Sequence, residues 1–390
     1  MASLLYFLAV LAILVVSHEF GHFIFAKKIG MGVHEFGFGF PPRFLGIQFK
    51  KNNKKHWRLV WGNRDLNESD EEYGTVYSLN WLPLGGFVKI KGENGEDAGD
   101  KDSFVGKNFW QKSIVICAGV FMNVVLAFIL LTAGYIIGLP QNIDSMTDVS
   151  KVADRRIEIL QTLPGKPAEA AGIQSGDVVV QVGDLQNPRL KQLQEYVDLY
   201  KNEQLLVRVK RNDQIIEKKI QPAVYSDTGK GGLGIAIAEI GTVRYPFFSA
   251  IWEGAKATGF YLKEIVVAFY LLLKGLFAGN GVGEAVSGPV GVAVMTGRVA
   301  KLGWIYLIQF AAMLSLNLAI FNILPIPALD GGRQLFLIIA KIRGKAVSQK
   351  LEQIFHTAGF ALLMLLVVIV TIRDISNFKV LILNFIKHLL

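Results

Sequence analysis

Residues 4–26 read LLYFLAVLAILVVSHEFGHFIFA, an apolar segment with two histidines and a glutamate near its end. The segment is long enough for one membrane-spanning helix, which needs about 20 apolar residues. Within it, His18, Glu19 and His22 form the pattern H-E-x-x-H. Positions four residues apart lie on the same face of an α-helix, so the two histidines can bind one metal ion together. The pattern therefore predicts a metal site inside a membrane helix, with Glu19 placed to act as a base on water.

The composition also favours a membrane protein. The 390 residues are 52% hydrophobic and only 19% charged, whereas an average soluble domain is about 25% charged. The mean hydropathy is +0.38. The net charge of +9 would suit nucleic acid, but the basic residues cluster beside apolar segments, as is typical of the cytoplasmic ends of membrane helices. We therefore expect membrane lipid, and no nucleic acid, among the partners.

Four segments are long and apolar enough to span a bilayer. We predict the first transmembrane helix in residues 1–30, the second at 113–139, the third at 304–340 and the fourth at 355–373. The predicted fold class is a polytopic α-helical membrane protein with about four transmembrane helices. It carries a membrane-associated β-hairpin region at 31–112 and an inserted α+β domain at 157–225, and it ends in a C-terminal tail at 374–390.

Charge indicates the orientation of these helices. Lysines and arginines are concentrated just after the first helix and between the third and fourth, at 27–58 and 341–350. Short loops rich in Lys and Arg remain in the cytoplasm. We therefore expect the N-terminus and the domain 157–225 to be extracytoplasmic.

Residues 244–300 leave two alternatives open. The segment is apolar but is interrupted by charged residues, among them Glu253, Lys256, Lys263, Glu264 and Lys274. A single crossing here would invert the third helix and contradict the charges that flank it. We therefore expect an amphipathic interfacial segment, and an ordinary fifth span is the alternative.

The cytoplasmic loop 31–112 has the alternation and the Gly, Pro and aromatic content of β-strands. Such a sheet could extend an incoming peptide by adding it as a strand, because backbone hydrogen bonds do not depend on side chains. A packing hairpin with an aromatic membrane anchor explains the pattern equally well.

Two histidines leave a catalytic zinc site incomplete, because such sites usually take three protein ligands and a water. Residues 322–332 read NILPIPALDGG and follow an apolar helix. A carboxylate at such a position is costly without a partner, and Pro325 and Pro327 open the helix before it. Asp330 is therefore the candidate for the third ligand.

The two motifs together are stronger evidence for a family than either motif alone. An H-E-x-x-H in a first apolar helix, with N-x-x-P-x-P-x-x-D-G-G in a late one, resembles the site-2 protease family of intramembrane zinc metalloproteases. The strand at 85–89 (GGFVK), the SGPVG segment at 287–291 and the stretch 164–184, which resembles the core of a PDZ domain, are similar to the bacterial regulator of sigma-E protease branch, here with a single PDZ domain.

The resemblance implies a role for each matching residue. His18, His22 and Asp330 would be ligands of Zn²⁺ and Glu19 the general base. Asn322 would contact the substrate backbone or support the oxyanion, although a helix–helix hydrogen bond is its alternative role.

The resemblance also implies the location, a bacterial cytoplasmic (inner) membrane, as well as the activity and the partners. The enzyme would be a zinc metalloendopeptidase that cleaves transmembrane segments of single-span proteins, such as anti-sigma factors or remnant signal peptides, in regulated intramembrane proteolysis. The PDZ-like domain would bind a peptide or act only as a steric cover. The alternative function is a membrane-embedded PDZ adaptor with an inactive metal site.

Overall fold

The computed structural model describes residues 2–51, 53–62, 72–95, 97, 99–143, 152–211, 214–225, 229–278, 287–345 and 347–377. The chain forms two compact units. The first contains residues 1–131, 254–297 and 310–390, and the second contains 132–253 and 298–309.

Long apolar helices dominate the first unit. They are α1 (Ala2–Lys28), α2 (Phe109–Ile137), α7 (Trp304–Ile323) and α9 (Gln349–Asn377), of which α2 and α7 continue into the second unit. Among the helices in the described ranges, four are long and apolar enough to cross a membrane: Ser3–Lys28, Phe109–Ile137, Trp304–Ile323 and Gln349–Ser376. At 1.5 Å per residue, even the 20-residue α7 spans about 30 Å, the thickness of a bilayer core. The predicted tail at 374–390 starts within α9, and residues 378–390 lie outside the described residues.

The third predicted helix, 304–340, is not continuous. It ends at Ile323, and a separate helix, α8, runs from Asp330 to Arg343. The break lies in the segment with Pro325 and Pro327, which have no amide hydrogen to continue the helical bonding. Ala328 has a φ of +74°, outside the helical region. The region predicted at 304–340 thus contains the spanning helix α7 and, after the break expected at the prolines, a second helix that Asp330 begins.

The described residues of the segment predicted at 244–300, which omit 279–286, form two helices, α5 (Phe247–Phe277) and α6 (Pro289–Leu302). The 31-residue α5 is continuous but carries five charged residues and is not one of the four candidate spans. Its Phe269 ring packs edge-on against Phe321 of α7, with the ring centres 5.8 Å apart. The buried Asp374 of α9 accepts a hydrogen bond from the Gly291 amide at the start of α6 (2.7 Å).

A three-stranded sheet lies between α1 and α2 in sequence. Its strands are β1 (Val33–Lys50), β2 (Asn53–Trp61) and β3 (Tyr73–Ile90), in the order β2-β1-β3. The first half of β1 lies between the two halves of β3, because Phe36 is opposite both Val88 and Tyr77. The aromatic side chains exposed on this sheet are Phe38, Phe40, Phe44, Phe49, Trp57, Trp61, Tyr77 and Trp81.

The second unit contains a seven-stranded sheet in the order β4-β12-β5-β6-β8-β9, with β7 beside β6. These strands are β4 (Leu139–Asn142), β5 (Val152–Thr162), β6 (Val178–Val182), β7 (Leu185–Gln186), β8 (Leu205–Arg211), β9 (Gln214–Ile220) and β12 (Ile235–Val243). A small pair, β10 (Ala223–Val224) and β11 (Gly231–Gly232), and the helices α3 (Pro167–Ala170) and α4 (Leu190–Leu199) complete it. The α+β region predicted at 157–225 thus lies within a sheet that begins before it and ends after it.

Candidate active site

Both histidines of the H-E-x-x-H pattern lie on the buried face of α1. His18 and His22 are 7% and 8% exposed, and their Nε2 atoms lie 3.2 Å apart. Asp330, at the start of α8, places Oδ2 3.0 Å from His18 Nε2 and 3.3 Å from His22 Nε2. The structure therefore brings together the three side chains that sequence reasoning selected as ligands.

The spacing of these atoms fits a zinc ion. In a tetrahedral site with bonds of about 2.0–2.1 Å, neighbouring ligand atoms lie about 3.3 Å apart. The three separations here are 3.0, 3.2 and 3.3 Å. Two imidazoles and one carboxylate leave the fourth position for water or substrate, as in known catalytic zinc sites.

The helix α2 packs against the two imidazoles on the side of their Nε2 atoms, the candidate ligand atoms. A Cβ atom on Gly119 would overlap His22 Nε2 and lie 2.7 Å from His18 Cε1. A Cβ atom on Gly21 of α1 would lie 3.0 Å from the Gly119 Cα. Small residues allow membrane helices to approach closely, and here the close contact is at the metal site.

The same helix contacts the outer nitrogens of both rings. His22 Nδ1 is 2.8 Å from the Val115 carbonyl oxygen, which can only accept, so this nitrogen carries the proton and Nε2 is free for a metal. The Asn123 carboxamide lies 3.3 Å from His18 Nδ1, and Asn123 is completely buried.

Asn123 is the site residue that sequence reasoning missed. The sequence does place an asparagine in an apolar helix, where its amide is costly to bury unless it has a hydrogen-bond partner. That signal does not say which partner the amide has, because Asn123 and His18 belong to different helices.

Glu19 is directed towards the sheet. Its Oε2 accepts a hydrogen bond from the Val88 amide of β3 (3.1 Å). The GGFVK segment at 85–89 therefore touches the predicted base itself, and this contact leaves the other carboxylate oxygen available.

The predicted substrate residue, Asn322, lies at the end of α7. Its Nδ2 is 3.4 Å from His18 Nε2, longer than a good hydrogen bond. About two helical turns earlier, the Ser315 hydroxyl donates to the Asn123 carbonyl oxygen (2.7 Å). Helices α1, α2 and α7 thus meet at this site.

Known proteins resemble this chain over most of its length. The family model of peptidase family M50 matches residues 6–61 and 64–366. A putative zinc metalloprotease of Clostridium perfringens is 32% identical, with 93% of this chain and 95% of the relative covered. One of Clostridium acetobutylicum is 30% identical over 94% of this chain and 96% of the relative. The regulator of sigma-W protease RasP of Bacillus subtilis is 28% identical over 95% and 97%.

These relatives, together with the four apolar helices of the described residues, identify the protein as a multi-pass membrane protein and a zinc-dependent metalloprotease. The family model extends over both motifs, the histidine pattern in α1 and the aspartate at the start of α8. The chain therefore belongs to peptidase family M50.

Proposed function

We propose that the protein is an intramembrane endopeptidase that cleaves the transmembrane segments of single-span membrane proteins. The observation that carries this proposal is the convergence of His18 and His22, on the apolar helix α1, with Asp330 at the start of α8 and with Glu19 beside them. A site of this kind belongs to a hydrolase whose substrate is itself in or at the bilayer.

In this proposal His18, His22 and Asp330 hold the zinc ion. Bound there, zinc acts as a Lewis acid that activates water and polarises the scissile carbonyl. The chain itself must hold the three ligand atoms in place, and α2 contributes by packing against both imidazoles and by accepting a hydrogen bond from His22 Nδ1 at the Val115 carbonyl.

Glu19 is the proposed general base. It takes a proton from the attacking water and later gives it to the leaving amine, as acid–base catalysis of amide hydrolysis requires. The Val88 amide fixes one carboxylate oxygen, so that the other is oriented towards the water.

Asn322 is the proposed substrate contact. Its carboxamide lies beside His18, where an amide group can bind the substrate backbone or stabilise the developing oxyanion. The substrate must be extended at this point, because a membrane helix bonds all its amides internally and would hide the scissile bond.

The sheet offers a surface for such an extended segment. In the described residues, the second half of β3 (86–90) pairs with β1 on one side only, and its Val88 contacts Glu19. Addition of the substrate as a further strand would place its backbone next to the proposed base. The exposed aromatic side chains of the sheet would at the same time anchor it in the lipid interface.

We further propose that the second unit contains a PDZ-like peptide-binding domain outside the cell membrane. A cavity of about 520 Å³ is lined by α4 and by the residues before and within β12, including Leu193, Val197, Ile235 and Ile237. A groove between a helix and a strand suits an extended peptide. With the N-terminus also outside, the metal site would lie near the cytoplasmic ends of its helices.

The proposed substrates are anti-sigma factors or remnant signal peptides already shortened outside the membrane. One relative is named as a regulator of sigma-W protease, which supports an anti-sigma factor.

The test compares wild-type protein and Glu19→Gln in liposomes that contain a single-span substrate. We expect the wild type to cleave within the transmembrane segment and Glu19→Gln to bind zinc equally but to cleave nothing. Equal cleavage by both would refute the proposal. Zinc-free native protein that binds the substrate without cutting it would favour the membrane adaptor instead.

A further inference from the structure

The loop between α7 and α8 presents Asp330 to the histidines, and its backbone is constrained. Ala328 has a φ of +74°, a left-handed conformation that costs a residue with a Cβ atom about 1 kcal/mol or more. A Cβ atom on Gly331 would overlap the carbonyl oxygens of Ile323 and Leu324. The loop is thus folded tightly against the end of α7, and something must hold Ala328 in its unfavourable conformation.

The fourth apolar helix, α9, makes that contact. His356 Nδ1 accepts a hydrogen bond from the Ala328 amide (2.9 Å). One turn further, α9 packs against the same loop through Gly359, where a Cβ atom would lie 2.8 Å from the Pro327 carbonyl oxygen. The absence of a side chain at Gly359 lets the helix approach closely enough for His356 to reach the loop.

The bond defines the state of the imidazole. Because Nδ1 accepts, it carries no hydrogen, and the ring proton is on Nε2. Nε2 is buried, 3.9 Å from the nearest Glu352 carboxylate oxygen, too far for a hydrogen bond. The Ala328 amide is therefore the partner that the structure gives to this ring's polar atoms within hydrogen-bonding distance.

We propose that His356 is a positioning residue of the metal centre: its bond to the Ala328 amide holds the loop in the conformation that places Asp330 against His18 and His22. The inference rests on the proposed ligand role of Asp330. In this proposal α9 also stabilises, through His356, the loop that precedes the carboxylate ligand.

The proposal requires a hydrogen-bond acceptor at one particular distance from the backbone of α9, and substitutions of His356 can test this requirement. In an asparagine side chain, Oδ1 occupies nearly the position of histidine Nδ1, so His356→Asn keeps an acceptor at the loop. His356→Gln moves the acceptor one bond further out, and His356→Leu removes it. Loss of a contact that orients a metal ligand typically weakens metal affinity by about 10–100-fold.

The experiment measures the zinc dissociation constant of the full-length protein in detergent by competition with a chelator, together with the visible spectrum of the cobalt-substituted form. We expect His356→Leu and His356→Gln to weaken zinc binding at least about tenfold and to change the cobalt spectrum. His356→Asn should stay close to wild type in both. Thr357→Leu, at the adjacent exposed position, is the matched control and should change neither.

Two further variants separate the possible failures. In Ala328→Gly, the glycine adopts the left-handed conformation without a Cβ penalty. The double variant Ala328→Gly, His356→Leu should therefore recover part of the lost zinc affinity, and it remains informative if His356→Leu alone folds poorly.

Asp330→Asn tests the ligand role itself. If Asp330→Asn binds zinc as tightly as wild type, the proposed metal site fails. If Asp330→Asn is weak but His356→Leu equals wild type, or if His356→Asn is as weak as His356→Leu, only the positioning role of His356 is overturned.

Discussion

Asp330 Oδ2 lies 3.0 Å from His18 Nε2, and this contact joins the first helix of the chain to the start of α8, some 310 residues later. Local secondary structure alone does not bring these two residues together. His18 is placed by the face of α1, and Asp330 by the break between α7 and α8. The contact therefore depends on how tightly the helices around it pack, and that packing can be tested.

Gly119→Ala tests the close approach of α2 to the proposed metal ligands. The new methyl group would overlap His22 Nε2 and lie 2.7 Å from His18 Cε1. Alanine also favours a helix over glycine by about 1 kcal/mol, so α2 itself should not be weakened. We expect zinc affinity to fall at least about tenfold, measured by chelator competition. Gly259→Ala in α5, where a Cβ atom meets nothing within 4 Å, is the control, and an equal effect of both variants would contradict this explanation.

Asn123 should fix the tautomer of His18. If Nε2 of His18 binds the metal, Nδ1 carries the proton and needs an acceptor, so the Asn123 carboxamide must present its oxygen to the ring. Asn123→Leu removes that acceptor, and we expect zinc affinity to fall about 10–100-fold. Asn123→Asp keeps an oxygen in the same place and should bind zinc more tightly than Asn123→Leu. The reverse order of the two variants would show that Asn123 acts only through packing.

Glu35 and Arg43 form a buried ion pair within β1, with side chains 11% and 8% exposed. Arg43→Met leaves a buried carboxylate without its partner, which typically costs about 3–5 kcal/mol. We expect the backbone amides of β1 and β3 to exchange with deuterium at least about a hundredfold faster, because local opening becomes that much easier.

Two comparisons isolate the ion pair. The double variant Glu35→Gln, Arg43→Met removes both charges and should recover much of the protection. Lys55→Met, at an exposed position of β2, should leave exchange unchanged. Unaltered exchange in Arg43→Met would mean that the pair does not stabilise the sheet.

Particular residues show how far sequence alone leads. The spacing of His18 and His22 predicts a shared metal because helical geometry fixes which residues lie on one face. Asp330 follows from the cost of a carboxylate beside an apolar helix. Asn123 and His356 do not follow, because each acts on a residue of another element and no periodicity records such a contact. The prolines at 325 and 327 mark a break, but only the backbone shows that it lasts six residues, from the end of α7 at Ile323 to the start of α8 at Asp330.

Val88→Pro tests the contact between the sheet and the proposed base. The Val88 amide is directed at Glu19 Oε2, on the side of β3 where, among the described strands, none pairs with residues 86–90. Proline is tolerated where an amide does not bond within the sheet, so the substitution removes the bond to Glu19 and leaves the ladder with β1. A hydrogen bond to a charged group contributes about 1.5–3 kcal/mol. We therefore expect kcat on a transmembrane substrate to fall about 10–100-fold while zinc affinity stays unchanged. Val88→Ala keeps the amide hydrogen and should retain most activity, and a Val88→Pro enzyme as active as Val88→Ala would show that Glu19 needs no orientation by the sheet.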